Sequence, residues 1–219
     1  MDWELVRSSL WPIVKYAVIG TIPLTLASFA IGLVLAFVVA LMRLSKVRVL
    51  SLVGRGYVSV IRGTPLLVQL YIIFFGLPTL GVRLDPWPSA IIAFSLNVGG
   101  YAAEIIRAAI LSVPKGQWEA AHMIGMSNRL ALRRIIVPQA ARVSVPPLSN
   151  TFISLVKDTS LASLILVTEL FRKSQEIAAF SQEFMVLYVE AAVLYWVLCL
   201  FLSFGQSTLE GRLDRYVAH

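Results

Sequence analysis

Four stretches of this chain contain no aspartate, glutamate, lysine or arginine: Tyr16 to Met42, Gly63 to Val82, Pro86 to Ala103 and Ala191 to Leu209. A helix of about 20 apolar residues crosses a bilayer core roughly 30 Å thick, so runs of this length leave few folds open. They are blocks of Phe, Leu, Val and Ile without the strict alternation of a lipid-facing strand, which argues against a β-barrel. A fifth, more polar segment runs from Val143 to Val156. The expected fold is an all-α membrane protein with five transmembrane helices, one domain over residues 1–219. A composition of 58% hydrophobic and 14% charged residues agrees.

Positive charge is unevenly spread. Arg43, Lys46, Arg48, Arg55 and Arg62 crowd the first loop with no acidic residue among them, and Lys115, Arg129, Arg133, Arg134 and Arg142 crowd the third against Glu119 alone. The second loop has only Arg83 with Asp85, and Lys157 to Glu183 mixes both signs. Basic loops mark the cytoplasmic side. This puts the amino terminus outside, and loops one and three and the tail Glu210 to His219 on the cytoplasmic side. The net charge of +7 thus sets orientation and requires no nucleic acid. Met1 to Trp11 carries Asp2 and Glu4 instead of the basic start of a cleaved signal, so the first span is expected to be retained. The single cysteine, Cys199, lies in an apolar run and reads as a small packing or lipid-facing residue.

Several spans carry interruptions. Pro23 removes one backbone hydrogen bond inside the first, and Gly63 with Pro65 predicts a kink near the cytoplasmic end of the second. On the third, Asn97, Tyr101, Glu104 and Ala108 share one helix face, which must point at protein or a wet cavity. Asn97 falls near mid-membrane, while Glu104 with Arg107 three residues on predicts a structural ion pair nearer the cytoplasmic edge. The fourth span has Pro146 and Pro147 near its start and Lys157, Asp158, Thr159 and Ser160 inside it. It reads as a broken helix, with one of the last three capping a new segment from Leu161 towards Phe171. No phosphate-binding loop, metal-ligand spacing or nucleophile motif occurs, so the chain is expected to be neither an enzyme nor an ATPase.

The stretch GQWEAAHMIGMSNRLALRRIIVP, residues 116–138, sets Ala120, Ala121, Ile124 and Gly125 on one stripe. A small-residue face suits insertion into a cleft of another protein, with Gly125 giving close approach or a sharp turn. The alternative is an interfacial helix resting on lipid, for which Ala-Ala with Gly is a poor apolar face.

Glu119-Ala120-Ala121, Gly125 and, after nine residues, Ile135-Ile136-Val137-Pro138 closely resemble the EAA motif of ABC importer permeases, with Val137 where leucine is usual. RGTPLLVQLYIIFFGLP, LNVGGYAAEIIR, KGQWEAA and PPLSNTFISLVKDTSLASLI are similar, in the same order, to the polar amino acid branch. LDPWPSAIIAFSLN and PQAARVSVPPLSNTFISLVKDTSLAS look most like its L-cystine permeases. The resemblance implies a type I importer permease in which residues 115–138 are a coupling segment, Glu119, Ala120, Ala121, Gly125 and Pro138 among them, docking on a cytoplasmic ATP-binding subunit. ATP and Mg would be used by that partner, with no cofactor in this chain. It further implies a second permease subunit, identical or not, an extracytoplasmic solute-binding protein, and alternating access.

An amino acid zwitterion in a dry cavity needs acceptors for its ammonium and donors for its carboxylate. The expected substrate site is Asn97 with Asn150, Thr151, Ser154, Asp158 and Ser160 around the broken fourth span. Asp158 would face the ammonium, unless it only caps a helix or pairs with Lys157. Many relatives that resemble this chain carry glutamate at the place of Thr151, so its uncharged hydroxyl favours cystine or another neutral polar amino acid over arginine. Importers of glutamine or arginine, and a non-transporting membrane scaffold or sensor, are the rival readings.

Overall fold

The computed structural model describes residues 3–214, all-helical among those residues apart from short connections. Helix α1 (Trp3–Leu44) is followed by α2 (Arg48–Gly63) and α3 (Leu66–Leu80), whose axes meet at 105°. Helix α4 (Pro86–Ser112) leads to the short α5 (Lys115–Met123). Then come α6 (Asn128–Ile165) and α7 (Leu170–Ser181), set at 48°, and finally α8 (Phe184–Asp214). Three helices are long and apolar enough to span a membrane by themselves, and there are five spans if each bent pair is one. Much of the tail expected to be cytoplasmic, including His219, lies outside the described residues.

The first span is longer than its apolar run: the helix begins ten residues before Ile13, at Trp3. Its early turns pack Ile13 on Leu170, Ala178, Leu187 and Ala191 of α7 and α8. Its later turns meet α4, the most extensive helix pairing in the fold, and there Leu24, Ala36 and Val39 share a core with Phe94, Val98, Ala102 and Leu155. Apolar tails offer lipid and protein nearly equal solvation, so spans associate by close packing over small residues. Gly99 and Gly100 on α4 supply this. A Cβ at Gly99 would sit 2.6 Å from the Tyr57 hydroxyl, and one at Gly100 2.6 Å from Ile61, so α2 crosses α4 at near backbone contact. Tyr57 fixes the crossing by donating to the Leu96 carbonyl at 2.6 Å.

Prolines are absorbed by one repeated device. A single wide turn covers Ala17–Thr21, Ile72–Gly76 and Leu132–Ile136, each closed by an N–H bonded to the carbonyl five residues back. Pro23, Pro78 and Pro138 follow immediately after the closing residue in every case. A proline lacks the N–H that would bond four residues back, and its ring crowds that carbonyl. One residue of slack in the preceding turn relieves both.

Three expectations are corrected. At Gly63–Pro65 the chain turns a corner between two helices, where only a kink was expected. Arg48, Arg55 and Arg62 therefore ride on α2, which packs on α1 and α4, and do not belong to a loop. The fourth span does break, but later than expected. The helix passes through Asp158 into a tighter turn over Thr159–Ile165 and stops where Leu166 takes φ of 66°. The cap of the next segment is Glu169, whose carboxylate accepts from the Phe171 and Arg172 N–H groups at 3.0 and 2.8 Å. Asp158 makes no capping bond, and the Thr159 and Ser160 hydroxyls donate back to the Val156 and Lys157 carbonyls.

Candidate functional site

The corner between α2 and α3 opens a gap against α4 and α6, and a cavity of about 420 Å³ fills it. Small-molecule sites span roughly 300–1,000 Å³. Thr64, Pro65 and Leu66 line it from the corner, Asn97, Val98 and Tyr101 from α4, and Asn150, Thr151, Ser154, Leu155, Asp158 and Leu161 from α6. Five of the six expected substrate residues are thus brought together: Asn97, Asn150, Thr151, Ser154 and Asp158. Helical periodicity explains the set on α6, because residues 150, 151, 154, 158 and 161 fall along one stripe. Ser160 falls off that stripe and does not line the cavity; its hydroxyl bonds the Lys157 carbonyl at 2.8 Å.

The polar atoms are held in place. Thr151 donates to the Pro147 carbonyl at 2.9 Å, which leaves its oxygen as an acceptor. The Asn150 oxygen accepts from Gln206 of α8 at 3.1 Å, and the same Gln206 nitrogen donates to Glu210 at 2.8 Å. Behind the cavity wall the buried Gln69 donates to the carbonyls of Ile61 and Thr64 at 2.8 and 3.1 Å and to the Thr64 hydroxyl at 2.9 Å. Those carbonyls lose their helical partners where α2 ends, and Gln69 supplies the missing donor. Its own oxygen accepts from Asn97 at 3.2 Å. Gln69 and Thr64 were not among the expected residues. Their signal in the sequence is one amide in an otherwise apolar run, just after Gly63 and Pro65.

A second groove, about 320 Å³, lies between α1, α6 and α8 against Phe29, Leu148, Phe152 and Leu202, and none of its lining residues is charged. Ser149 and Gln206 are its polar lining residues, which leaves a zwitterion no charged partner. Glu104 stays outside the cavity, as expected of a structural ion pair, but it pairs with Arg43 of α1 as well as Arg107, so it ties two spans together.

At the far end of α4, residues 115–138 form α5, a short turn and the start of α6. Glu119 and Ala120 are exposed, with Met123 and Ile124 beyond them. Ala121 is fully buried, so the expected stripe is divided between the protein and the outside. Gly125 lies past the helix at φ of 80°. Its N–H bonds the His122 carbonyl at 2.9 Å and the Met126 N–H bonds the Ala121 carbonyl at 3.0 Å, a paired closure that ends the helix. Of the two roles open to Gly125, the sharp turn holds. Gln117 and Gln139 join α5 to α6 at 3.2 Å, and Pro138 follows the wide turn at the root of α6.

Bent spans bordering a polar cavity, with an exposed helix at one end of the bundle, fit a membrane permease subunit. Residues 4–215 match the family model described as binding-protein-dependent transport system inner membrane component, and the chain belongs to that family. It is similar to the L-cystine transport system permease protein TcyB of Bacillus subtilis, 63% identical over all of this chain and 94% of that one. The glutamine transport system permease protein GlnP of Escherichia coli is 36% identical, over 97% of each chain. Among solved structures, an amino acid ABC transporter superposes with a TM-score of 0.91 at 34% identity, covering 97% of this chain and 99% of that one. The methionine ABC transporter MetNI, at 20% identity and a TM-score of 0.76, shares the fold. The chain is thus a multi-pass inner-membrane subunit of an ABC importer, and ATP hydrolysis belongs to a separate subunit.

Proposed function

We propose that this chain moves L-cystine through the cavity between the α2–α3 corner, α4 and α6, by alternating access driven by a partner ATPase. The observation that carries this reading is the lining: Asn97, Asn150, Thr151, Ser154 and Asp158 form a polar surface in a fold held together by apolar packing. Polar groups at membrane depth persist where they serve a pathway. The likeness to TcyB over the whole chain and the uncharged Thr151 both favour cystine over a cationic amino acid.

The exposed α5, with Glu119, Ala120, Ile124 and the turn at Gly125, is the coupling surface for the ATP-binding subunit, and Pro138 sets how that segment joins α6. Loops one and three are then cytoplasmic and the amino terminus is outside. One bundle of five spans cannot enclose an amino acid path, so a second permease subunit closes it, and an extracytoplasmic binding protein delivers the solute. ATP with Mg binds to the partner and not to this chain. Uptake of labelled L-cystine is measured in vesicles holding the permease, its ATPase and its binding protein. Accumulation that requires ATP on the ATPase side supports the reading; accumulation that follows an ion gradient without ATP, or better uptake of arginine than of cystine, refutes it.

A further inference from the structure

Asn97 faces two ways, and the atom it turns to each side follows from its neighbour. The Ile61 and Thr64 carbonyls can only accept, so the end of Gln69 that meets them, at 2.8 and 3.1 Å, is its amide nitrogen. The Gln69 oxygen is therefore the atom turned to Asn97, 3.2 Å away, and Asn97 must offer it an N–H. Gln69 is buried and does not line the cavity, whereas Asn97 does. With its nitrogen directed back at Gln69, Asn97 shows the cavity its oxygen. Asn150 is turned the opposite way. Its oxygen is taken by Gln206, whose nitrogen is fixed by the Glu210 carboxylate, so its N–H groups remain to donate.

We propose that Gln69 is a positioning residue: by fixing the Asn97 carboxamide it turns the Asn97 oxygen into the cavity as an acceptor that, with the Asp158 carboxylate, binds the substrate's ammonium. This rests on reading the cavity as the amino acid site. The chemistry favours an ammonium because the Asn97 oxygen and the Asp158 carboxylate both accept, and an ammonium carries donors and no acceptor. A carboxylate there would face the Asn97 and Asp158 oxygens, neither of which donates. The end of α2 is thereby linked to substrate orientation, since the same amide that closes its open carbonyls also sets Asn97.

The test measures equilibrium binding to the purified importer, permease with its ATPase, without the binding protein. The probes are L-cystine and dithiodipropionate, which has the same skeleton without the two ammonium groups. Gln69→Leu should weaken cystine about tenfold, the scale of one charge-assisted hydrogen bond, and leave dithiodipropionate within about twofold. Adding Gln69→Leu to Asn97→Leu should change cystine binding little further, because the first acts through the second. Equal weakening of both probes, or a double variant as weak as the product of the two singles, overturns the proposal and leaves Gln69 a helix cap only. Asn97→Asp keeps the packing and serves where Gln69→Leu does not assemble. It sets a carboxylate on the side assigned to the ammonium, so the ratio of cystine to dithiodipropionate affinity should rise; a ratio that falls overturns the assignment. If Asp158→Asn and Asn97→Leu both bind cystine normally, the cavity reading itself falls, and this proposal with it.

Discussion

The two broken spans solve the same problem with opposite chemistry. At the α2–α3 corner a helix ends inside the bundle, leaving carbonyls, and the buried Gln69 amide donates to them. At the α6–α7 break a helix begins, leaving N–H groups, and the Glu169 carboxylate accepts from two of them. The sign matches the helix end in each case: a neutral donor at the partly negative terminus, an anion at the partly positive one. The surroundings differ. Glu169 is fully buried and also accepts from the Tyr195 hydroxyl at 2.6 Å and the Thr21 hydroxyl at 3.3 Å, which draws α1 and α8 onto the break. Gln69 instead has one wall between it and a cavity. A break that is sealed holds spans together, and a break that stays beside open space can serve a ligand.

The largest effect expected from this contrast is at the sealed break. Glu169→Leu removes the acceptor of two backbone N–H groups and of the Thr21 and Tyr195 hydroxyls at a fully buried position. A loss of about 3 kcal/mol or more is expected, seen as little folded protein surviving in detergent by size-exclusion chromatography or thermal unfolding. Glu169→Gln, which can still accept, should keep much of it. A stable, active Glu169→Leu would remove the contrast. Next is Asp158, beside the open break. Its carboxylate caps nothing and lines the cavity, so Asp158→Asn should lower cystine uptake by about tenfold or more while unfolding like wild type. A change in stability without a change in uptake would reverse the roles assigned to the two breaks.

Much of this was legible in the sequence. The uncharged runs gave the spans, and helical spacing gathered four of the five expected α6 residues, Asn150, Thr151, Ser154 and Asp158, onto the cavity. Ser160 was expected there because the span was read as breaking at Asp158, Thr159 or Ser160, and a continuous helix through 158 turns it away. The actual break was hidden because its cap is a glutamate that fell inside the segment expected to run as helix from Leu161 towards Phe171. Nothing local distinguishes a buried Glu169 from an exposed one; its partners Thr21 and Tyr195 lie far off in the chain. Gln69 was hidden for a related reason, since the carbonyls it serves appear only once α2 and α3 bend apart.

Thr151 tests whether the open break sets specificity. It lines the cavity seven residues before Asp158, about 10 Å along the same helix. A carboxylate introduced by Thr151→Glu would stand two turns from the first and suit a long dication better than cystine, whose own carboxylates it would repel. Competition binding to the purified importer should show the ratio of lysine to cystine affinity rising about tenfold. An unchanged ratio would mean that the side chain at 151 does not meet the substrate.

The smallest effect is expected at the third helix end, that of α5, where no buried side chain is used at all. There the Gly125 and Met126 N–H groups close the last turn on the His122 and Ala121 carbonyls, and no atom lies within 4 Å of where a Cβ at Gly125 would be. Space is therefore not what requires glycine; the backbone is, at φ of 80°. Gly125→Asn should be nearly neutral, because asparagine tolerates the left-handed region. Gly125→Ala should cost about 1 kcal/mol and Gly125→Val more. If α5 is the coupling surface, cystine-stimulated ATPase activity should fall in that order, with cystine affinity unchanged. Were crowding at the docking face the cause instead, asparagine, larger than alanine, would be the more harmful of those two. Asparagine harming coupling more than alanine would show that the partner subunit, and not the turn, makes the demand for glycine.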